Sequence, residues 1–173
     1  MVRVRRLISD DWQAFRHIRL HALLTEPSAF GVSYSAAASS TPKNWKTILS
    51  QPGPVFGVYD DFKLIGIAAV RIEEKHPKGT AALGMSYLYP EYRGRGFSRL
   101  IHQARFEWIV EQGCFDRVVV SHRIGNEESR RSILSVGFCE SHIVMSTWPD
   151  GSQDEEVWYV LGIEHVRLFL QKQ

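Results

Sequence analysis

Residues 87–99 read YLYPEYRGRGFSR, and this pattern predicts the end of an apolar strand, a glycine-rich turn and the start of a helix. The first N–H groups of a helix have no acceptor inside the helix and carry partial positive charge, so such a turn can hold a phosphate or pyrophosphate. Gly94 and Gly96 remove the side chains that would keep a ligand away from these groups. The glycines alone fit a plain connecting loop equally well, but the arginines around them favour an anionic ligand. The stretch therefore predicts a site for a phosphorylated cofactor.

Two common phosphate-binding patterns are absent from this turn. A P-loop needs Gly, four residues and then Gly-Lys-Ser/Thr, and the stretch has no such run. The dinucleotide fingerprint needs a third glycine three residues after Gly96, where Arg99 stands. The cofactor is therefore expected to be neither a P-loop nucleotide nor a Rossmann dinucleotide.

Hydrophobic periodicity outward from the turn predicts seven strands and four helices. The strands are expected at Val2–Ile8, Val55–Tyr59, Leu64–Ile72, Thr80–Tyr89, Val118–Val120, Phe138–Trp148 and Glu156–Ile163. The helices are expected from Trp12 to about Leu24, over Pro42–Leu49, from Phe97 to Gly113 and over Asn126–Ser135. Residues 25–41 hold Pro27, Gly31 and many small residues, so they are expected to form a mobile connection.

The order of these elements indicates an α/β (α+β) fold in one domain over residues 1–173. Several strands follow one another directly, which predicts a single mixed, mainly antiparallel sheet. Residues 80–120 have the strand–turn–helix–strand order of a right-handed crossover, which makes two of the strands parallel. The crossover helix is expected to pack on the sheet through one apolar face, made of Phe97, Leu100, Ile101, Ala104 and Trp108.

Composition indicates an ordinary globular protein. Hydrophobic residues make up 44% of the 173 residues and charged residues 23%, which excludes disordered and collagen-like chains. A net charge of +2 is too small to indicate a nucleic-acid-binding protein. Cys114 and Cys139 lack metal-site spacing and are expected to be reduced, partly buried thiols. The sequence has neither a signal-peptide core nor an apolar run of membrane length, so we expect a soluble cytoplasmic protein without a metal or a membrane partner.

The glycine-rich turn resembles the acetyl-CoA motif of the GNAT N-acetyltransferase superfamily. That motif reads Arg-x-x-Gly-x-Gly/Ala between a strand and a helix, and here it is Arg93, Gly96 and Ser98. A second block of the family also resembles this chain, at Asn126, Ser129, Gly137 and Phe138. The passage over residues 19–31 and the ending around residues 150–163 are similar to bacterial members, so the resemblance spans the whole chain.

The resemblance implies a GNAT fold, in which the two central parallel strands splay apart and helices cover both faces of the sheet. It implies acetyl-CoA as the acyl donor, with the pyrophosphate on the turn amides and the pantetheine arm beside the strand that ends at Tyr89. An amide near Leu88 would then stabilise the oxyanion. The cofactor contacts implied for this chain are Leu88, Tyr89, Arg93, Gly94, Arg95, Gly96, Phe97, Ser98, Arg99, Asn126 and Ser129.

The implied reaction is direct attack of an amine on the acetyl carbon while both substrates are bound. The candidates for the catalytic proton acceptor are Glu73, His122 and Tyr87. Each has a plain alternative: a solvated charge pair for Glu73 with Glu74, a satisfied core or loop histidine, and a packing tyrosine. Asn126 fits a helix cap as well as a cofactor contact.

The second block departs from the family at Ile133, where a tyrosine is usual. That tyrosine commonly hydrogen-bonds the CoA sulfur and can protonate the leaving thiolate, and isoleucine can do neither. The alternative function is therefore an acyl-CoA-binding sensor with weak or no catalysis. The amine acceptor, in a small molecule or a peptide, is not identified by the sequence. A homodimer is an assembly that is common in this family.

Overall fold

The computed structural model describes residues 1–73 and 75–172, and in these residues seven strands form one sheet and six α-helices flank it. The strands are β1 (Val2–Arg6), β2 (Val55–Asp60), β3 (Lys63–Arg71), β4 (Thr80–Leu88), β5 (Arg117–Arg123), β6 (Cys139–Thr147) and β7 (Gln153–Gly162). The helices are α1 (Trp12–Thr25), α2 (Tyr34–Ala38), α3 (Pro42–Leu49), α4 (Phe97–Gln112), α5 (Glu127–Ser135) and α6 (Ile163–Gln171).

The strand order across the sheet is β1-β2-β3-β4-β5-β7-β6. The β4–β5 pair is parallel and every other neighbouring pair is antiparallel. The predicted mixed sheet with a central parallel pair is therefore confirmed.

Helices cover both faces of the sheet, as the resemblance implied. Consecutive strand residues point to opposite faces, and Val55 and Phe56 of β2 show which helices lie on each side. Val55 belongs to the core cluster that includes buried residues of α1, α2 and α3, whereas Phe56 belongs to the cluster with α4, α5 and α6. The sheet thus separates two apolar cores, and the crossover helix α4 lies on the same side as α5.

The two parallel strands separate after a short ladder. Pairing joins residues 80–82 of β4 to residues 117–119 of β5 and then stops. On the other side of β4 the register with β3 shifts, because Ile67 pairs with Tyr87 while Ala69 pairs with Gly84. The extra residue forms a β-bulge at Met85, whose φ of 57° is left-handed. A bulge bends and twists the strand that contains it, so the carboxyl half of β4 runs away from β5 and opens a gap.

The predicted packing face of α4 is wrong in part. Leu100 is 37% exposed, whereas His102 and Arg105 are buried beside Ile101, Phe106 and Ile109. The other four predicted residues, Phe97, Ile101, Ala104 and Trp108, do pack against the core clusters. Apolar spacing missed the inner side because two polar residues occupy it. These two buried polar side chains are hydrogen-bonded to each other and to serine hydroxyls.

Two regions contain regular structure that the sequence patterns did not predict. Residues 25–41 were expected to be a connection, but Ser33 caps the short helix α2 there by accepting a hydrogen bond from the Ala36 N–H. The chain also ends in helix α6, which packs on α4 through Phe169. Both cysteines are free as expected, but they are exposed and not partly buried.

The core that carries α4 can be tested with two phenylalanine truncations. Phe106 is fully buried, with its ring centre 5.3 Å from that of Phe169, whereas Phe62 is 94% exposed. Phe106→Ala should lower the free energy of unfolding by about 3–5 kcal/mol because it leaves a cavity. Phe62→Ala, the matched control, should change it by less than about 0.5 kcal/mol. Urea unfolding measures both, and equal effects would contradict this placement of the core.

Candidate functional site

A cleft of about 640 Å³ lies where β4 and β5 diverge. Strand β4 lines it with residues 83–88 and β5 with residues 120–122. Residues from the turn before α4, from α4 and α5, and from the segment after α1 complete the walls. The cleft therefore runs from the glycine-rich turn into the gap between the two parallel strands.

The glycine-rich turn presents backbone N–H groups to this cleft. Gly94 and Gly96 have left-handed φ angles of 71° and 80°, and a Cβ at either would meet no heavy atom within 4 Å. Glycine is thus required here by the backbone conformation and not by crowding. In the part of the chain that the structure describes, the N–H groups of residues 94–98 donate to no protein acceptor. With the helix dipole behind them, these groups can hold an anion.

The Arg93 side chain fastens the turn to its surroundings. Its Nε donates to the Leu88 carbonyl at 3.0 Å, its Nη1 donates to Glu128 at 3.0 Å, and its Nη2 donates to Glu26. The guanidinium also lies 5.6 Å from the centre of the Tyr87 ring. Arg93 therefore ties the end of β4 to α5 and to the segment after α1, so its charge is already paired with two carboxylates.

The end of β4 has one amide that faces the cleft. The Tyr89 N–H donates to the Ile65 carbonyl of β3 at 3.0 Å, so it is already bonded. Because successive strand residues turn their N–H groups to alternate edges, the Leu88 N–H points away from β3 and toward the gap. Leu88 also lines the cleft, whereas Tyr89 packs beside His21 with a centroid distance of 4.8 Å.

The other predicted cofactor residues divide into two groups. Those that line the cleft are Arg93, Gly94, Gly96, Phe97, Ser98, Asn126 and Ser129. Arg95 and Arg99 are not among the lining residues, and their guanidinium carbons lie 5.4 Å from the Tyr92 ring centre and 4.8 Å from that of Phe169. Asn126 also caps α5, because its Oδ1 accepts from the Ser129 N–H at 3.1 Å.

Tyr87 is the candidate proton acceptor that lines the cleft with a histidine beside its hydroxyl. Its side chain is 4% exposed and lines the cleft. The hydroxyl lies 2.9 Å from Nδ1 of His21 on α1 and 3.5 Å from the Thr25 hydroxyl. A proton that reaches the Tyr87 oxygen therefore has an imidazole beside it.

His122 also lines the cleft, but both of its ring nitrogens are engaged. Nδ1 lies 2.8 Å from the Arg123 carbonyl, which can only accept, so Nδ1 carries the proton. Nε2 then accepts from the Tyr159 hydroxyl at 3.0 Å. The ring is 6% exposed. These contacts describe a hydrogen-bonded core histidine.

Glu73 is not among the residues that line the cleft. Its carboxylate forms ion pairs with Arg71 at 3.3 Å and Lys75 at 3.0 Å, and His76 lies 3.3 Å away. Partial burial raises the pKa of Glu73, but the hydrogen bond from Lys75 and the charge of Arg71 outweigh it, and the pKa lies below its ordinary value. Glu74, considered with it, lies outside the described residues.

A chain of four hydrogen-bonded polar side chains under the cleft was not predicted from the sequence; its middle members, His102 and Arg105, are buried. Arg105 Nη1 donates to the Ser86 hydroxyl at 2.9 Å, and Nη2 donates to His102 Nδ1 at 3.1 Å. His102 Nε2 lies 3.2 Å from the Ser132 hydroxyl. All four side chains line the cleft. The one sequence signal was the pair of polar residues at a spacing of three on α4, and it became informative only when that face proved to be buried.

Ile133 also lines the cleft and is 3% exposed.

Among the described residues, no group of three or more His, Cys, Asp or Glu side chains could hold a metal ion. In that same part of the chain, no helix is both long and apolar enough to cross a membrane.

Comparisons with known proteins point to one family. The sequence model of the acetyltransferase (GNAT) family matches residues 7–138. A GNAT-family acetyltransferase from Streptococcus pneumoniae superposes with a TM-score of 0.80 at 12% identity, covering 94% of this chain and 99% of that chain. YncA of Salmonella typhimurium, solved with its cofactor acetyl-CoA, gives 0.77 at 17% identity and 94% coverage of both chains.

A third solved structure has the same fold. Ribosomal-protein-S5-alanine acetyltransferase from Vibrio fischeri gives a TM-score of 0.79 at 19% identity, covering 94% of this chain and 93% of that chain. No curated protein sequence matches the chain. At these identities the structural matches show a shared fold.

The conformational role of the turn glycine can be tested at Gly96. Gly96→Ala places a Cβ on a left-handed residue, which should lower the free energy of unfolding by about 1–2 kcal/mol. Gly31→Ala is the control, since Gly31 also has open space around it but its φ is not left-handed. That control should stay within about 0.5 kcal/mol of the parent in urea unfolding. A Gly96→Ala protein as stable as the control would show that the turn is not held in this conformation.

Proposed function

The chain belongs to the acetyltransferase (GNAT) family, and we propose that it is an N-acetyltransferase that moves the acetyl group of acetyl-CoA to a primary amine of a small molecule or peptide. The observation that carries the proposal is the turn at residues 94–98, whose N–H groups donate to no acceptor in the described protein. They stand at the mouth of a cleft that leads between two separated strands. A ligand with a diphosphate and a long thioester arm matches this shape and charge.

The proposed cofactor pose follows from the groups available along the cleft. The diphosphate would accept hydrogen bonds from the turn, chiefly at Gly94, Gly96 and Ser98. The pantetheine arm would lie along the carboxyl half of β4, where β5 no longer pairs with it. Acetyl-CoA is the cofactor in the structure of yncA, which has the same fold. The thioester would then reach the gap beside the Leu88 N–H.

In the proposed reaction the amine nitrogen bonds to the acetyl carbon, and the carbon–sulfur bond breaks in turn. The carbonyl oxygen gains negative charge at the tetrahedral stage, and the Leu88 N–H is placed to donate to it. Such a fixed donor in a cleft stabilises developing charge more than water does. The protein's other contribution is to hold amine and thioester together, which removes much of the entropic barrier.

The attacking amine must lose a proton, and Tyr87 is the group that we propose receives it. Tyr87 lines the cleft, and its hydroxyl lies 2.9 Å from Nδ1 of His21, so a proton taken up at the oxygen can be matched by one passed to the imidazole. His122 has both nitrogens engaged, and Glu73 stands outside the cleft with cationic partners. These contacts make Tyr87 the best placed of the three.

A sensor that binds acyl-CoA without turnover is the second candidate, and Ile133 is the observation that favours it. The side chain there is apolar and buried, so it offers no hydroxyl to the leaving sulfur. Release of CoA thiol, followed with a broad panel of amines, separates the two functions. Turnover with any amine excludes the pure sensor, whereas cofactor binding without turnover across the panel supports it.

A cytoplasmic location is also part of the proposal. The exposed free thiols Cys114 and Cys139 suit a reducing compartment. The homodimer stays a prediction, and the acceptor is proposed only as a primary amine.

Cofactor binding at the turn should raise the melting temperature. A ligand at a hundredfold excess over its Kd adds about 2.7 kcal/mol, which is about 5–10 °C for a chain of this size. Gly94→Asp should abolish the shift, because a carboxylate would repel the diphosphate. Gly94→Asn is the matched control: it has the same shape, tolerates a left-handed φ and lacks the charge. Equal shifts in both variants, or none in the parent protein at millimolar acetyl-CoA, would overturn the proposed site.

The role of Tyr87 predicts a defect in turnover and not in cofactor binding. Tyr87→Phe should lower kcat by about a hundredfold, the usual order for loss of a positioned proton acceptor. Its acetyl-CoA-induced melting shift should equal that of the parent protein. Tyr92→Phe makes the same change at another tyrosine that lines the cleft and should retain the parent rate. Parent-like turnover by Tyr87→Phe would exclude it as the acceptor of the proton.

A further inference from the structure

Arg105 is a buried cation without an anionic partner. It is 2% exposed, and its Nε atom has no hydrogen-bond partner among residues 1–73 and 75–172. Nη1 and Nη2 donate to neutral groups, the Ser86 hydroxyl and the His102 ring. In the described part of the chain, none of the ion pairs includes it. Buried charges are normally paired because desolvation is costly. Since Arg105 lines the cleft, a bound anion can supply the missing charge.

The hydrogen bonds fix the direction of the chain from Arg105 to Ser132. A guanidinium can only donate, so Nδ1 of His102 is an acceptor and carries no proton. Burial, followed by the charge of Arg105, lowers the pKa of His102 well below its ordinary value, so the ring is neutral. A neutral ring without a proton on Nδ1 carries it on Nε2, which donates to the Ser132 oxygen at 3.2 Å.

The Ser132 hydroxyl is therefore a donor available to the cleft. Its oxygen already accepts from His102. Within the described residues the O–H has no acceptor, so it can point at a ligand. Burial lowers the pKa of Arg105 to about 9, which leaves the guanidinium charged at neutral pH. Its charge polarises His102 and, through it, Ser132, so the hydroxyl is a stronger donor than an isolated serine. Ser132 is the residue before Ile133, so a hydroxyl is present next to the position where the usual tyrosine is missing.

We propose that Ser132 donates a hydrogen bond to the CoA sulfur and stabilises the departing thiolate, with His102 and Arg105 as the residues that position and polarise it. The inference rests on the proposed function and names the leaving-group partner at the same site. As the carbon–sulfur bond breaks, its electron pair goes to sulfur, and the thiolate is held by the Ser132 O–H, which keeps its proton. The thiolate is protonated later by water, and the amine proton leaves separately through Tyr87.

Other charged groups near Ser132 do not replace this chain. On α5, Glu128 and Arg131 also line the cleft, and Glu128 is paired with Arg93 at 3.0 Å. Arg131 is exposed to solvent, where its charge is screened. On α4, His102 contacts the Ser132 hydroxyl directly, and Arg105 contacts His102.

The test measures the acidity of the thiol of bound CoA, by the ultraviolet absorbance of its thiolate across a pH titration. A free thiol has a pKa of about 8.5. In the parent protein the pKa of the bound thiol should be lower, and Ser132→Ala should raise it by about one pH unit, a tenfold change in acid dissociation. Ser135→Ala is the control, since it removes a hydroxyl three residues along α5 that donates to the Ser132 carbonyl at 2.7 Å. That control should titrate like the parent protein.

The positioning residue His102 has its own pair of variants. His102→Leu should raise the pKa of the bound thiol as Ser132→Ala does, whereas His102→Gln should keep it partly lowered, because an amide can accept from Arg105 and donate to Ser132. If His102→Leu does not fold, the two serine variants still decide the matter. A bound thiol with the same pKa in the parent and Ser132→Ala overturns this inference and leaves the proposed function intact. Failure of the parent to bind CoA would overturn the proposed function, and the inference with it.

Discussion

The cleft exists because the hydrogen-bonded ladder between β4 and β5 ends early. Three residue pairs join the two parallel strands, and a bulge at Met85 then turns β4 away. Two parallel strands in full register would satisfy each other's backbone groups and leave no space between them. Because they part, the Leu88 N–H faces a gap and the helices behind the sheet are exposed through it. The cleft is therefore a product of backbone pairing, and its chemistry comes from the side chains around it.

Positive charge is placed at both ends of this cleft in different ways. At the mouth it is backbone charge, from the N–H groups of residues 94–98 and the dipole of α4. Deeper in the cleft it is the guanidinium of Arg105, which is hydrogen-bonded to His102, and His102 in turn contacts the Ser132 hydroxyl. Arg93, which the sequence motif emphasised, is neutralised by Glu26 and Glu128 and serves to fasten the turn. The arrangement suits a ligand with a diphosphate at one end and a developing anion at the other.

The sequence predicted what depends on local backbone chemistry and missed what depends on distant contacts. The turn glycines and the strand–helix change around them were readable because left-handed residues and helix starts have local signatures. The inner face of α4 was not, because His102 and Arg105 are polar and their partner Ser132 lies 30 residues from His102. Likewise, the partner of Tyr87 is His21, 66 residues away on α1. Hydrophobic periodicity assigns a polar residue to the surface. Only the three-dimensional structure shows a distant partner that allows the residue to be buried.

A crystal structure with CoA bound would show whether the glycine-rich turn holds the diphosphate. We expect diphosphate oxygens within hydrogen-bonding distance of the N–H groups between residues 94 and 98, and a sulfur atom in the gap between β4 and β5. A diphosphate bound elsewhere, with the turn left open or closed off by a neighbouring side chain, would contradict this expectation.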